Sequence, residues 1–305
     1  MKFIPANVKE VVTMENKTTI SVIIPIHVGD EKSIGLLNGA ISSVKNVDEI
    51  VIAKPSSVKI PVEETENVRV VSVDTDGTGS QQFCELVNGA VGEVKGDWFS
   101  VLEYDDYYLD TWFDHVRTYI EYYPDTFMFM PIVDLYEMQD GAKKFIGYGN
   151  ESPWASSFSE NIGQIDHDCL QYYMDFYPTG SVFNKKEWED VGQLKPHIKL
   201  AYWYEYLLRA TSKGKNVLVI PKAGYSHVLN RDGSISLDYN TNMGEDERIF
   251  YVTLAKEDYH FNVERDPSKY EFNEKNAEIV SHDEDEDEIE ADKAKIMPLG
   301  ATTKA

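Results

Sequence analysis

The sequence predicts an α/β fold built on a doubly wound sheet, and three features of its first half predict it. An uninterrupted β-branched run spans Ile20–Ile24, as in a strand that is covered on both faces. The segment Phe83–Val94 carries apolar residues at helical spacing. Strand-like and helix-like segments alternate between Ile20 and Leu102, which is the order of β-α-β units packed into one sheet.

The first half divides into predicted strands and helices in regular succession. The opening strand ends at Pro25, because proline cannot continue the hydrogen-bonded ladder. Ser33–Val44 has the apolar spacing of an amphipathic helix. The later predicted strands are Glu49–Ala53, Val68–Val73 and Asp97–Leu102, with the helix Phe83–Val94 before the last of them. Together they give the strand and helix rhythm of a doubly wound sheet.

The second half is less regular, and Asp140–Asp175 is predicted to be loop-rich and aromatic. The predicted helices are Asp110–Tyr122, Lys185–Val191, Trp203–Ser212 and Arg248–Ala255, and the predicted strands are Phe127–Val133 and Asn216–Ile220. We therefore expect one domain over residues 18–262, with halves at 18–106 and 107–262. An N-terminal extension, 1–17, and an acidic, flexible tail, 263–305, flank it.

The charge of the chain disfavours some classes of partner. Its 305 residues include 53 acidic and 29 basic ones, a net charge of −24. From Glu264 onward there are 13 acidic and 6 basic residues, a net of −7, so −17 remains with the body. Such a surface repels phosphate backbones and anionic lipids, which argues against a non-specific nucleic-acid or membrane binder. The acidic tail is a candidate docking segment for a partner.

Cysteine content and hydropathy favour a cytoplasmic protein. Two cysteines, Cys84 and Cys169, are too few for a disulfide framework and lack zinc-site spacing. The first residues form no apolar run of signal-peptide length, and no stretch approaches the ~18 apolar residues of a membrane span. We therefore expect no membrane span.

Acidic residues mark one strand end as a candidate site, since ligands of α/β sheets gather at the carboxyl ends of the strands. Glu103 and Asp105 follow the strand Asp97–Leu102 directly. Carboxylate oxygens bind Mg²⁺ or Mn²⁺ and leave positions open for a diphosphate. The alternative is an acidic turn that caps the helix beginning near Thr111.

The segment GAVGEVKGDWFSVLEYDDYY resembles the central block of family-2 glycosyltransferases, which have the GT-A fold. The residues at matching offsets are Asn88, Gly96, Asp97, Trp98, Leu102, Asp105 and Asp106. Three further blocks agree in order: SVIIPIH, then GSVFNKKEWEDVG with YEYLLRATSKGKNVLVIP, and finally Tyr225–His227 with DGSIS. The resemblance covers residues 18–236 and implies a Rossmann-like, doubly wound mixed sheet.

The resemblance implies an activity and a set of site residues. Family members transfer a sugar from a nucleotide-sugar, here expected to be UDP-linked, to an acceptor hydroxyl, with inversion. The implied metal, Mn²⁺ or Mg²⁺, would be held by Glu103, Asp105 and His227, although a lone histidine is also a common packing residue. Asp106 would border the donor sugar. The implied nucleotide-side residues are Pro25, His27, Lys54 and Asn88, together with Glu103 and Asp105.

Several positions depart from the family pattern. Lys54 and Pro55 replace paired acids, and Val87 replaces an arginine. Trp203 stands where the catalytic aspartate is expected, so the nearest carboxylate, Glu205, becomes the candidate base. The alternative for Glu205 is an ion pair with Arg209, four residues later on the same helix. These departures leave open a second hypothesis, a GT-A-fold protein that has lost catalysis and serves as a binding or assembly component.

The acceptor stays open among a saccharide, a protein and another hydroxyl compound. A lesser alternative is a modified base in phage-type DNA, which the net charge disfavours without excluding. Basic residues do cluster in the acceptor half, at Lys185, Lys186, Lys195, Lys199, Lys213 and Lys215.

Overall fold

The computed structural model describes residues 18–153, 162–257, 259, 270–273 and 278–281. The predicted N-terminal extension, 1–17, lies outside these ranges, as does the predicted tail apart from two short strands. Those strands, Tyr270–Asn273 and Glu278–Ser281, pair antiparallel with each other.

The main sheet is built from ten strands. They are β1 (Ile20–Pro25), β2 (Glu49–Pro55), β3 (Val68–Val73), β4 (Trp98–Val101), β5 (Tyr107–Tyr108), β6 (Met128–Gln139), β7 (Ala142–Gly149), β8 (Gly163–Ile165), β9 (Val182–Asn184) and β10 (Val217–Leu229). The strand order is β3-β2-β1-β4-β9-β6-β10-β5, with β7 on β6 and β8 on β10. Strands β1 to β4 pair parallel, whereas β9 runs antiparallel to β4 and β6. The predicted doubly wound mixed sheet is therefore confirmed.

Helices cover both faces of this sheet. They are α1 (Glu31–Ser43), α2 (Ser80–Val91), α3 (Trp112–Tyr122), α4 (Cys169–Tyr172), α5 (Lys185–Val191), α6 (Tyr202–Ser212), α7 (Ile235–Asn242) and α8 (Glu245–Glu257), with a 3₁₀ helix at Pro196–Ala201. None of the helices in the described part of the chain has the length and apolar character needed to cross a bilayer.

Strand alternation divides the apolar residues into two cores. In β1, Ile23 packs into one core, whereas its neighbours Val22 and Ile24 pack into the other. Successive side chains of a strand point to opposite faces, so a continuous apolar run serves both cores at once. Helices α2 and α6 cover the first core, and α1 and α3 cover the second. The parallel strands of the sheet are therefore packed against helices on both faces.

The second half contains more strand than the sequence predicts. Strand β10 continues past Pro221, through a register shift between Val219 and Ala223, to Leu229. Strand β6 extends to Gln139 and pairs with β7, within a segment expected to be loop-rich. Residues Ala142–Phe145 of β7 are exposed. The sequence there lacks the apolar alternation of a half-buried strand, so it does not predict β7.

A glycine secures the loop that runs into β9. Gly180 has φ +79°, and its carbonyl accepts a hydrogen bond from Trp112 Nε1 at 3.0 Å. A Cβ at this position would lie 2.3 Å from the ring of Tyr225. We expect Gly180→Ala to lower the free energy of unfolding by about 3 kcal/mol, because left-handed strain and overpacking add.

Gly141 is the matched control, since it has the same φ, +79°, and no neighbouring atom within 4 Å of an added Cβ. We expect Gly141→Ala to cost only about 1 kcal/mol in denaturant unfolding, the strain alone. Equal losses for the two variants would show that the contact with Tyr225 contributes nothing.

Candidate functional site

A cavity of about 240 Å³ opens at the carboxyl edge of the parallel strands, beside the ends of β1 and β4. One end of it is acidic and contains Glu103, Asp105, His227 and Arg231. The other end is largely apolar and contains Phe83, Met174, Phe176, Tyr202 and Trp203. The cavity therefore combines a charged end with an aromatic wall, and the two halves of the chain both contribute to it.

Three possible metal ligands lie together at the acidic end. Glu103, Asp106 and His227 each bring one ligand atom into a group whose members lie within 4.8 Å of one another. Asp106 is fully buried; its Oδ1 accepts a hydrogen bond from the Val228 amide at 3.1 Å, and its Oδ2 lies 2.6 Å from His227 Nδ1. Two carboxylates and an imidazole form a donor set that fits a divalent cation.

The charges of this group shift its own pKa values. Burial and the neighbouring Asp106 carboxylate raise the pKa of Glu103 to about 8. Burial by itself lowers the pKa of His227, but Asp106 outweighs it and the pKa is raised to about 10. Both shifts favour the protonated forms of Glu103 and His227 when no cation balances the carboxylates.

Asp105 has a different partner from its neighbours. Arg231 Nε donates a hydrogen bond to Asp105 Oδ2 at 2.6 Å, and the guanidinium lies over the ring of Tyr104 at 5.7 Å. Both charged side chains are nearly buried, with 11% and 8% of their surface exposed. Asp105 thus holds the Arg231 guanidinium in a fixed position on the cavity wall, close to the three possible metal ligands. An anionic ligand in the cavity would meet the guanidinium there.

Solved structures share the architecture of the described residues. Residues 1–349 of TarS from S. aureus, in complex with UDP-GlcNAc, superpose with a TM-score of 0.56 at 15% identity, over 82% of this chain and 69% of that chain. GalNAc-T7 with UDP, GalNAc and Mn²⁺ superposes with a TM-score of 0.54 at 15% identity, over 78% of this chain and 48% of that chain. Both are GT-A-fold proteins. This chain has the GT-A fold.

The likeness is one of fold alone. No family model matches the sequence, and no curated protein does. This GT-A chain spans 44% of a longer TarS structure, which it matches with a TM-score of 0.51. The predicted divergent GT-A architecture is confirmed, and what the domain binds and transfers has to be argued from its own residues.

The GT-A domain brings some of the sequence-predicted residues to the cavity and leaves others away from it. Pro25 and His27, at the end of β1, line it. Lys54 does not; its Nζ lies 3.0 Å from Ser72 Oγ. Asn88 does not either, because its side-chain amide exchanges two hydrogen bonds of 2.9 Å with the backbone of Leu194. Asn88 thus joins α2 to the chain before the 3₁₀ helix.

The backbone turn after β4 explains why Asp106, rather than Asp105, joins Glu103. The Asp106 amide donates to the Glu103 carbonyl at 3.0 Å, so the chain turns instead of continuing as a strand. In a turn of this kind residues three apart approach each other. Asp105, expected from the sequence as a metal ligand, therefore lies outside the group of three and faces Arg231.

Glu205, the base expected from the sequence, is buried within α6 and does not line the cavity. Its Oε2 lies 2.9 Å from Arg209 Nη2, and its Oε1 lies 3.0 Å from Lys195 Nζ. The ion pair with Arg209, the alternative for this residue, is therefore formed. Trp203, two residues earlier, does line the cavity.

Sequence reasoning missed two cavity residues with charged side chains. Arg231 follows His227 by four residues, and the only signal for it was a cation in the same closing segment as that histidine. Asp175 lies in the segment before Gly180, where no periodic pattern distinguishes one carboxylate from another. Both are brought to the cavity by loops, whose paths are not encoded in hydrophobic periodicity.

The raised pKa values predict that metal binding depends on pH. A Mn²⁺ ion bound by this group would displace protons from Glu103 and His227, whose pKa values are raised to about 8 and about 10. We expect the Mn²⁺ affinity to increase as the pH rises from about 6 to about 9, by as much as about tenfold per unit for each proton released.

Calorimetric titrations with Mn²⁺ in buffers of different ionisation enthalpy measure the number of protons released. Partly buried His115, which is not among the residues lining the cavity, is a control site, and His115→Gln should leave the profile unchanged. An affinity that falls with rising pH would show that the group of three does not bind the metal.

Proposed function

We propose that this chain is a metal-dependent glycosyltransferase that moves a sugar from a UDP-linked nucleotide-sugar to an acceptor hydroxyl, with inversion. The observation that carries the proposal is the group formed by Glu103, Asp106 and His227 at the acidic end of the cavity. The GT-A fold supports it, because TarS and GalNAc-T7 share that fold and were solved with UDP-GlcNAc and with UDP, GalNAc and Mn²⁺.

Glu103, Asp106 and His227 would hold the cation, Mn²⁺ or Mg²⁺. When bound, the cation supplies positive charge that stabilises the departing diphosphate. Asp106 and His227 keep a fixed geometry, because the Val228 amide holds Asp106 and Asp106 holds His227.

Arg231 supplies a second positive charge to the same anion. Its guanidinium is held by Asp105 and by the ring of Tyr104, so its position is set before the ligand arrives. Pro25 and His27, at the end of β1, would border the nucleotide. A diphosphate would thereby be accommodated in a chain of net charge −24, since the cation and Arg231 both present positive charge to it.

The acceptor would enter from the aromatic end of the cavity. Phe176, Tyr202 and Trp203 offer flat apolar faces of the kind that stack on the C–H face of a sugar ring. This wall favours a neutral hydroxyl acceptor, such as a saccharide, over an anionic polymer.

One observation favours a second candidate, a GT-A-fold protein that binds a nucleotide-sugar without turnover. The expected base, Glu205, is engaged by Arg209 and Lys195 and is absent from the cavity lining. Such a protein would bind UDP with Mn²⁺ but release neither sugar nor UDP from a nucleotide-sugar.

A panel of nucleotide-sugars tests the proposal. Each is incubated with the chain and Mn²⁺, with water or added saccharides as acceptors, and UDP release is measured. We expect release from at least one UDP-sugar and a loss of release with chelator. Binding of UDP and Mn²⁺ without release from any donor would favour the second candidate.

A further inference from the structure

The cavity is lined by three carboxylates, and they differ in what they contact. Glu103 belongs to the group of possible metal ligands, and Asp105 is paired with Arg231. Asp175, from the loop before β9, makes no hydrogen bond or ion pair with the residues of the described ranges. Of the two lining carboxylates outside the group of possible metal ligands, it is therefore the one without a cationic partner there.

The surroundings of Asp175 combine partial burial with apolar neighbours. Met174 and Phe176 flank it in sequence and line the same cavity. Partial burial raises the pKa of Asp175 above its ordinary value. A carboxylate with a raised pKa accepts a proton more readily than one in open water, which suits a general base.

The loop that carries Asp175 is held firmly next to the metal group. The side chain of buried Asn150 donates to the Tyr177 carbonyl and accepts from the Tyr177 amide, each at 2.9 Å. The ring of Tyr177 in turn lies 5.8 Å from that of His227. Asp175, two residues before Tyr177, thus lies on a loop that is anchored at Tyr177 rather than on a free loop.

We propose that Asp175 is the general base of the transfer reaction, acting on the acceptor hydroxyl in place of the carboxylate that Trp203 displaces and that Glu205 cannot supply. The assignment rests on the proposed glycosyltransferase function. The acceptor O–H proton passes to the Asp175 carboxylate while the acceptor oxygen forms a bond to the anomeric carbon. The bond from that carbon to the diphosphate oxygen breaks, and its electron pair leaves with UDP.

Three variants test the assignment, with water as the acceptor and the UDP-sugar that gives the fastest wild-type release. We expect Asp175→Asn to lower the rate of UDP release by about 10²-fold or more, the usual contribution of a general base. We expect Asp175→Glu to recover part of that loss, because the carboxylate is kept. Exposed Asp168→Asn, on the approach to the same loop, is the matched control and should have the wild-type rate.

Calorimetry with UDP and Mn²⁺ separates catalysis from binding, and thermal unfolding confirms that each variant is folded. We expect all three variants to bind UDP within about twofold of wild type, since a base is not needed to hold the leaving group. Wild-type release by Asp175→Asn would overturn the assignment, as would a loss of UDP affinity as large as the loss of rate. Absence of release by the wild-type chain would instead contradict the proposed function itself, and the assignment with it.

Discussion

Asp106→Asn should lower metal-dependent turnover of a nucleotide-sugar by about 10²–10³-fold while leaving the chain folded. Asp106 is fully buried, and its carboxylate lies within 4.8 Å of possible ligand atoms of Glu103 and His227. The amide of asparagine keeps the shape of the side chain and an acceptor for the Val228 amide, but removes the negative charge. The cation would lose one ligand, and His227 would lose the carboxylate that raises its pKa.

UDP release and Mn²⁺ affinity are measured together for this variant. The exposed Asp110→Asn, four residues further along, is the matched control and should behave as wild type. Asp105→Ala, at the residue before Asp106, removes the partner of Arg231. We therefore expect this variant to lose turnover and to keep most of its Mn²⁺ affinity. If Asp106→Asn kept wild-type Mn²⁺ affinity and turnover, the group of three would have no role in the reaction.

Glu205→Gln should lower the free energy of unfolding by about 3–5 kcal/mol. Glu205 is 1% exposed and is paired with both Arg209 and Lys195. Removing the carboxylate charge leaves Arg209, itself nearly buried, without its anionic partner inside α6. We expect this loss in denaturant unfolding, and we expect the folded variant to retain UDP binding, since Glu205 does not line the cavity.

A surface ion pair of similar geometry provides the control. Glu187 pairs with Lys215 at 2.5 Å and is 35% exposed, so Glu187→Gln should cost less than about 1 kcal/mol. A Glu205→Gln variant with wild-type stability and a rate reduced about 10²-fold would restore Glu205 as the base and contradict the role proposed for Asp175.

Most of the first half, residues 18–106, could be predicted from the sequence, because burial there follows simple periods. The run Ile20–Ile24 is apolar without a break, and the strand it predicts is buried on both faces. For β10 the sequence predicts a strand that ends at Ile220, because the proline at position 221 normally ends a ladder. The register shift between Val219 and Ala223 lets the strand pass this proline and continue to Leu229.

The same continuation decides the candidate site. It carries His227 to the buried carboxylate of Asp106, at 2.6 Å. The sequence placed Glu103 and His227 in the metal group, and both belong to the group of three. The family resemblance assigns Asp105 to the metal, two residues after Glu103, and Asp106 to the donor sugar. The turn between Glu103 and Asp106 instead brings residues three apart together.

The partners of buried charges were the least accessible from sequence. The Glu205–Arg209 pair could be foreseen from its i,i+4 spacing, but the contact from Lys195 to Glu205 arises from the path of the loop before the 3₁₀ helix. Asp175 reaches the cavity in the same way, through a loop fixed by Asn150. Contacts of this kind depend on tertiary packing rather than on local pattern.

The central claim is that Glu103, Asp106 and His227 bind a cation that in turn binds a UDP-linked donor. Calorimetric titration of UDP into the chain, with Mn²⁺ and then with chelator, tests it most directly. We expect saturable UDP binding with Mn²⁺, an affinity at least about tenfold lower with chelator, and the same low affinity for Asp106→Asn under both conditions. UDP binding of equal affinity with and without Mn²⁺, unaffected by Asp106→Asn, would contradict the claim.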